Sequence, residues 1–466
     1  MIEIESDSSP FMTVVRRGLE AVYHWDGLIE LEILGVRYSG SGSVHADVSS
    51  INGTIHEAVD ISAAASFRRL LNTKPGTLRT DDDFGSALPC DGQAWKADRV
   101  TTTGFSITGN DQVLRFAVTG DLLVPAQSSG EACFWRYVYQ GAGLPAATAF
   151  TDLKHGGGGT EYSLDRITGN FRGRRLDLRN LTEANEGARS FIAAIHDGVA
   201  PLEETESTAL WLLISYLSGA RLRSIYNDSF DSAGVMLQRS YRLGVAYSER
   251  TMAPFDSHAA RPTDDALTII GDGFVRMIEA KFPIGIIIHH LLDANTRNPE
   301  VDSIHLYLAL QTVIEAWSLH RGANEIIDQT QWKTLRRKLI GAAEDILAEA
   351  PERLTKSIVN RIAGGNQTSY NERQRRVFSE IGVVLDDSTK HALSMRNELF
   401  HFGYFRRRFN QLSREEKQAR LDLVGILRNL VNVIILKLVG YDGYLVEATR
   451  HEAIRIERGP ASFGAQ

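Results

Sequence analysis

The spacing of apolar residues changes along this chain, from every second residue to every third or fourth, which confines it to a β-rich part followed by a helical part. Up to about residue 180 the pattern is short alternating runs separated by Gly, Asn, Asp and Ser clusters. In LIELEI, Ile29, Leu31 and Ile33 fall on one face and Glu30 and Glu32 on the other, as a half-buried antiparallel strand requires. FSITGNDQVLRFAV reads as a hairpin that turns at Gly109, Asn110 and Asp111, and WRYVY groups Trp135, Tyr137 and Tyr139 on one side of a strand. Glycine-rich turns between such runs predict a sandwich or barrel-like β domain.

Residues 185–299 mix the two grammars: STALWLLISYL is helical and stops at Gly219, whereas GVMLQRSY at 234–241 is strand-like. NTRNPE at 295–300 looks like a boundary, after which strands disappear. VDSIHLYLALQTVIEAW puts Ile304, Leu308, Val313, Ile314 and Trp317 near one helical stripe, and helical patterns follow at 331–349 and 352–363. Beyond the loop GGNQTSYNE, one helix runs through RRVFSEIGVVL and another begins near Asp387 or Ser388, either of which can cap it. The final helix opens on Ser413 and Glu416, spaced as a capping box, and stops at Gly440. The predicted fold class is α+β multidomain. It comprises a β-rich sensor or recognition domain at 1–184, a mixed connecting region at 185–299, a helical bundle at 300–450 and a tail at 451–466.

Composition narrows the function classes. At 43% hydrophobic and 23% charged, 466 residues supply more than one ordinary core. A net charge of -7 argues against a protein that coats nucleic acid, so any nucleic-acid site is local. Cys90 and Cys133 sit in no CxxC pattern, which indicates neither a disulfide framework nor a cysteine zinc site and fits a reducing cytoplasm. MIEIESDSSPFM is acidic where a signal peptide is basic. FPIGIIIHHLL and LVNVIILKLV fall short of the roughly 20 residues a span needs, so no membrane association is expected. His289 and His290 are adjacent and diverge, HGGGGT at 155–160 lacks the lysine of a phosphate loop, and DDDFG at 81–85 lacks the spacing of a cation cage. They read as core or cap residues, a hairpin loop and a turn, and neither metal nor cofactor is predicted.

The run RNELFH carries the chemistry. With 41 arginines and 13 histidines in the chain, about one Arg-x4-His match arises by chance, and there is one. Requiring Asn directly after Arg lowers the chance expectation to the order of a few hundredths. Asn397 and His401 are four apart and share a helical face, while Arg396 sits about 100° round and must reach across. Gly403 can end the helix and leave His401 in its last turn, where the helix dipole favours the imidazolium. RNA cleavage without a metal needs proton transfer at the 2'-hydroxyl and at the leaving oxygen, and a fixed positive charge on the phosphate. Histidine and arginine match those tasks, and Asn397 would orient the imidazole or the phosphate. One histidine does not easily serve as both base and acid, so a symmetric dimer is expected.

RNELFH resembles the R-[polar]-x3-H signature of the HEPN ribonuclease superfamily. LRNLVNVIILKLVGYDGYL resembles the ending of its ApeA-like branch, in which a hydrophobic helix runs into a stop like LVGYDGY at 438–444. The resemblance covers about residues 300–447 and implies a five-helix bundle, homodimerisation through the helical domain and metal-independent endoribonuclease activity. It further implies a toxin or anti-phage effector. The β-rich third does not match the family's usual partner domain, and a foreign protein or ligand as a trigger there is a separate expectation. FRRRF follows the motif, and residues 366–412 hold eight basic against five acidic side chains. Arg406, Arg407, Arg408, Arg373 and Arg376 would then track RNA phosphates, with Tyr404 as a stacking surface. The same charges also fit a solvated helix end or a dimer salt-bridge surface. Glu315 either supports Arg396 from a neighbouring helix or is a plain surface carboxylate. The competing reading of the whole chain is a non-catalytic recognition module that dimerises through a degenerate HEPN bundle.

Overall fold

A computed structural model describes residues 23–33, 36–46, 51–56, 86–90, 93–108, 111–125, 130–145, 149–154, 160–182, 190–241, 252–256, 259–263, 265–321, 327–363, 365–366, 368–402, 412–460 and 462–463. They fall into two units, one drawn from Met1–Glu204 and Leu217–Arg250, the other from Thr205–Tyr216 and Thr251–Gln466. The 185–299 stretch is therefore divided between the units and is not a region of its own.

The first unit is a sheet, as its period-two sequence predicts. Its strands are β1 (Tyr23–Ile33), β2 (Val36–Ala46), β3 (Ile51–His56), β4 (Ser86–Cys90), β5 (Gln93–Thr108), β6 (Asp111–Pro125), β7 (Phe134–Gln140), β8 (Ala149–Lys154), β9 (Thr160–Phe171), β10 (Arg174–Thr182), β11 (Ser190–Asp197), β12 (Arg223–Phe230) and β13 (Met236–Tyr241). All pair antiparallel in one sheet, in the order β1-β2-β3-β6-β13-β12-β7-β11-β10-β9-β8, with β4 and β5 lying off this path. Strand β6 makes this continuity possible. One of its edges holds β5, while the other holds β3 at Val113–Val118 and then β13 at Leu122–Pro125. The predicted hairpin is β5–β6, which pairs up to Thr108 and Asp111; Gly109 and Asn110 lie outside the described residues, as do HGGGG and DDDFG.

WRYVY departs from the expected alternation, because β7 is buried on both faces: Arg136 is 0% exposed, between buried Tyr137 and the strands beside it. The register explains how a guanidinium tolerates this position. Asp228 on β12 stands directly opposite both Arg136 on β7 and Arg239 on β13. Asp228 accepts hydrogen bonds from Arg136 Nε at 3.0 Å and Arg239 Nε at 2.7 Å. Arg239 also stacks 4.1 Å from the Tyr226 ring centroid. A buried charge persists only when paired and hydrogen-bonded in this way.

The second unit is helical. It contains most of α1 (Glu204–Ser218), then α2 (Ala266–Glu279), α3 (Ile284–Asp293), α4 (Pro299–His320), α5 (Gln329–Ile346), α6 (Glu352–Ala363), α7 (Tyr370–Ile381), α8 (Asp387–Ser394), α9 (Arg396–Phe402) and α10 (Arg414–Val439). Helix α10 starts with the predicted capping box of Ser413 and Glu416 and ends at Gly440, whose φ of +82° suits glycine. Its buried Leu427, Val431, Ile434, Ile435 and Leu438 form the centre of the core. Helix α2 crosses it closely because Gly273 has no side chain: a Cβ there would lie 2.6 Å from Val439 Cβ. On α4 the buried residues are Leu306, Tyr307, Leu310, Val313, Ile314 and Trp317, whereas Ile304 and Leu308 of the expected stripe are only half-buried. The helix is packed by α3, α7 and α10, so its buried face is wider than one stripe.

Residues 451–466, expected as a tail, are partly built into this unit. β14 (Gly443–Val446) pairs with β15 (Ala453–Ile456), and the Phe463 ring lies 5.2 Å from that of Phe282 and 5.7 Å from that of Trp317. Among the described residues no helix is long and apolar enough to cross a membrane.

Candidate active site

The RNELFH motif sits in a short helix, α9, positioned by a cap one residue earlier than expected. Asp386, not Asp387 or Ser388, caps α8 by accepting from the Thr389 N–H at 2.7 Å. Bonding to the Thr389 side chain and backbone holds the Asp386 carboxyl below the usual carboxylate range. The predicted single helix is split at Met395, whose N–H is shared between the carbonyls of His391 and Ala392 at 3.3 Å each. Arg396 is consequently the first residue of α9, and Asn397 and His401 follow on the same helix. Asn397 is exposed. The side chain of His401 lies outside the described residues, as do Gly403, Tyr404, Arg406, Arg407 and Arg408.

Arg396 is half-buried and held on three sides. Its Nη2 donates to Gln311 Oε1 on α4 at 2.8 Å, and its guanidinium carbon lies 4.4 Å from the Tyr370 ring centroid and 4.9 Å from that of Phe400. Tyr370 opens α7, whereas Phe400 is four residues on in α9, so the guanidinium is stacked by one ring from its own helix and one from a neighbour. Its Nε is buried and has no hydrogen-bond partner among the described residues. Gln311 Nε2 in turn donates to Glu315 Oε1 at 2.8 Å. A carboxylate only accepts, so this bond turns the Gln311 carbonyl toward Arg396. Glu315, which the sequence offered either as a support for Arg396 from a neighbouring helix or as a plain surface carboxylate, bonds to Gln311, the residue that accepts from Arg396.

Two phenols flank the arginine. Burial raises the pKa of Tyr370, Arg396 and Arg373 oppose the rise, and Glu315 adds to it. Burial likewise lifts Tyr307 far above the ordinary tyrosine value, and its hydroxyl donates to the Ala392 carbonyl, tying α4 to α8. Both phenols are neutral at physiological pH. Arg373 is half-buried and faces the Tyr370 side of this cluster, but Arg376 is directed elsewhere, donating to Glu380 Oε1 at 2.8 Å. Glu380 also accepts from Trp317 Nε1 at 2.8 Å. On the other side, burial lowers the pKa of Arg420, and Glu398, Glu300, Tyr307 and Glu416 counter that fall. Arg420, Glu398, Glu416 and His391 line a cavity of about 420 Å³ between α8, α9 and the first half of α10.

Sequence reasoning missed Gln311, Tyr370, Phe400 and Arg420. Phe400 carried a readable signal, the i,i+4 spacing from Arg396; Gln311 and Tyr370 did not, being 85 and 26 residues from Arg396 in sequence. The arrangement offers a permanently charged, pre-oriented guanidinium at the start of the helix that carries His401. Among the described residues no group of three or more His, Cys, Asp or Glu side chains is placed to hold a metal ion. Comparison of the chain with protein-family models, with curated proteins and with solved structures gives no match.

Proposed function

We propose that the protein is a metal-independent endoribonuclease of the HEPN type. The observation that carries this reading is the restraint on Arg396: hydrogen-bonded to Gln311, stacked by Tyr370 and Phe400, and on the same short helix as His401. Fixing a guanidinium in advance removes the reorganisation it would otherwise undergo as charge builds on a pentavalent phosphate. In the proposed reaction the RNA 2'-oxygen attacks the adjacent phosphorus and the 5'-oxygen leaves. His401 of one protomer takes the 2'-hydroxyl proton and His401 of a second protonates the leaving oxygen, while Arg396 neutralises the phosphate and Asn397 orients it. The products are a 2',3'-cyclic phosphate and a 5'-hydroxyl. Arg373, near Tyr370, extends the positive charge along α7, and Arg406, Arg407, Arg408 and Tyr404 would continue the RNA track beyond the motif.

The helical unit is the nuclease and dimerises. The sheet unit is the sensor, which binds a foreign protein or ligand and releases the nuclease as a cytoplasmic toxin or anti-phage effector. The Gln311 bond also favours a second reading, because an arginine pinned by a neighbouring helix equally suits a structural post in a non-catalytic dimerising module. Incubation of the purified protein with RNA in EDTA separates them. The ribonuclease reading expects cyclic-phosphate products from the wild type and none from His401→Ala or Arg396→Ala. Equal products from all three, or none from an activated wild type, would leave the non-catalytic module.

A further inference from the structure

Helices α5 and α6 form a hairpin that pairs with itself and, to a comparable extent, with no other described element. Trp332 anchors its base, 8% exposed, while every residue of α6 retains some exposure. On α5 the side facing α6 carries half-buried Ile340 and Ala343. About a quarter-turn away runs a second stripe, Leu335, Leu339, Ala342 and Ile346, spaced four, three and four residues apart. Leu335 is 42%, Leu339 40% and Ile346 82% exposed. Four-three spacing of apolar residues is what one helix needs to pack along another, and nothing in the described chain covers this stripe.

The charges beside the stripe say what covers it. Lys333, Arg336, Arg337 and Lys338 occupy the first half of α5, Glu344 and Asp345 lie in its second half, and Glu349 and Glu352 come just after it. Such a helix repels a parallel copy of itself and attracts an antiparallel one. The register agrees. About a two-fold axis near Ile340, Leu335 meets Ile346 of the second copy and Leu339 meets Ala342, the small residue that permits close approach at the crossing. Lys338 and Asp345 lie on the same flank of the stripe, seven residues apart, and a two-fold brings like flanks together, so each Lys338 faces the second copy's Asp345. We infer that the α5–α6 hairpin is a self-association element, which pairs antiparallel with the hairpin of a second copy of this chain to make a four-helix bundle. This contact is independent of the nuclease reading.

Cross-linking of the full-length chain tests the register. With helix axes roughly 8–10 Å apart, Ala342 of the two copies lies roughly 10 Å apart, whereas Thr334 lies roughly 20 Å from its equivalent along the axis. Ala342→Cys should give a covalent dimer with a short bismaleimide. Thr334→Cys should stay at the background of the wild type, which carries Cys90 and Cys133. Adding Leu339→Glu to Ala342→Cys should reduce the covalent dimer at least tenfold with the circular dichroism unchanged, since Leu339 is exposed. Absence of the Ala342→Cys dimer, equal cross-linking of Thr334→Cys, or a dimer that survives Leu339→Glu would each overturn the inference. A dimer held through the RNELFH face alone gives the first of these results, so this test fails separately from the catalytic one.

Discussion

The guanidinium of Arg396 donates to the side-chain carbonyl of Gln311 across 85 residues of sequence, at 2.8 Å. The first residue of the motif helix is thereby fixed by the middle of α4, and Glu315 sets the orientation of the amide that fixes it. On the proposed ribonuclease reading, Gln311→Ala lowers RNA cleavage by about 10–100-fold, because a misplaced charge loses much of its effect on the transition state. Glu315→Gln should cost less, since its amide oxygen still accepts from Gln311. Single-turnover cleavage rates of the two variants check the order. Wild-type rates for Gln311→Ala would remove Gln311 from the site.

Glu380 joins α4 to α7 by accepting from Trp317 Nε1 and Arg376 Nε. Burial pushes its pKa up, but the bonds from Arg376 and Trp317 outweigh this and leave the carboxyl below its ordinary value. A folded-state pKa below the unfolded one gives stability that is present above the ordinary glutamate value and lost as the pH falls through the lower folded value. Glu380→Ala should cost about 1–2 kcal/mol at neutral pH. The deficit should shrink in acid as the wild type loses the same contribution, and urea denaturation at pH 7 and below pH 4 reads both.

Gly273 sits against Val439, where α2 crosses α10. Gly273→Ala should destabilise the helical unit by about 1–3 kcal/mol through overpacking. Pairing it with Val439→Ala frees the space, so the double variant should lose less than the sum of the singles. Strict additivity by thermal denaturation would mean that the two side chains do not meet.

In the sheet unit, Asp228→Ala leaves Arg136 and Arg239 buried without their carboxylate. Removing one partner of a buried ion pair costs about 3–5 kcal/mol. Asp228→Asn, which keeps the acceptor oxygen, should fall between that variant and the wild type. Denaturant unfolding followed by far-ultraviolet circular dichroism orders the three.

Local features of this fold could be read from the chain. The Ser413–Glu416 capping box, the stops at Gly219 and Gly440 and the strand periods all involve residues within a few positions of one another. What depended on distant partners could not. Arg136 looked like the wet member of an alternating strand because its neutralising Asp228 lies 92 residues on. The break at Met395 leaves no mark in an amphipathic pattern that continues through it. Helices α5 and α6 read as ordinary amphipathic helices, since a pattern shows an apolar stripe without showing whether the same chain covers it. For the site, the sequence named Arg396, Asn397 and His401 and carried an unread i,i+4 signal for Phe400, but Gln311 and Tyr370, which hold Arg396 from α4 and α7, were visible only once folded.

RNA cleavage in EDTA by the wild type, Arg396→Ala and His401→Ala, with the 3' ends of the products identified, bears on the ribonuclease reading most immediately. The expected result is 2',3'-cyclic phosphate ends from the wild type and at least a 100-fold lower rate from both variants, within the usual range for general acid–base catalysis, with their circular dichroism unchanged. Cleavage that persists in both folded variants, or that vanishes for the wild type on adding EDTA, would contradict it.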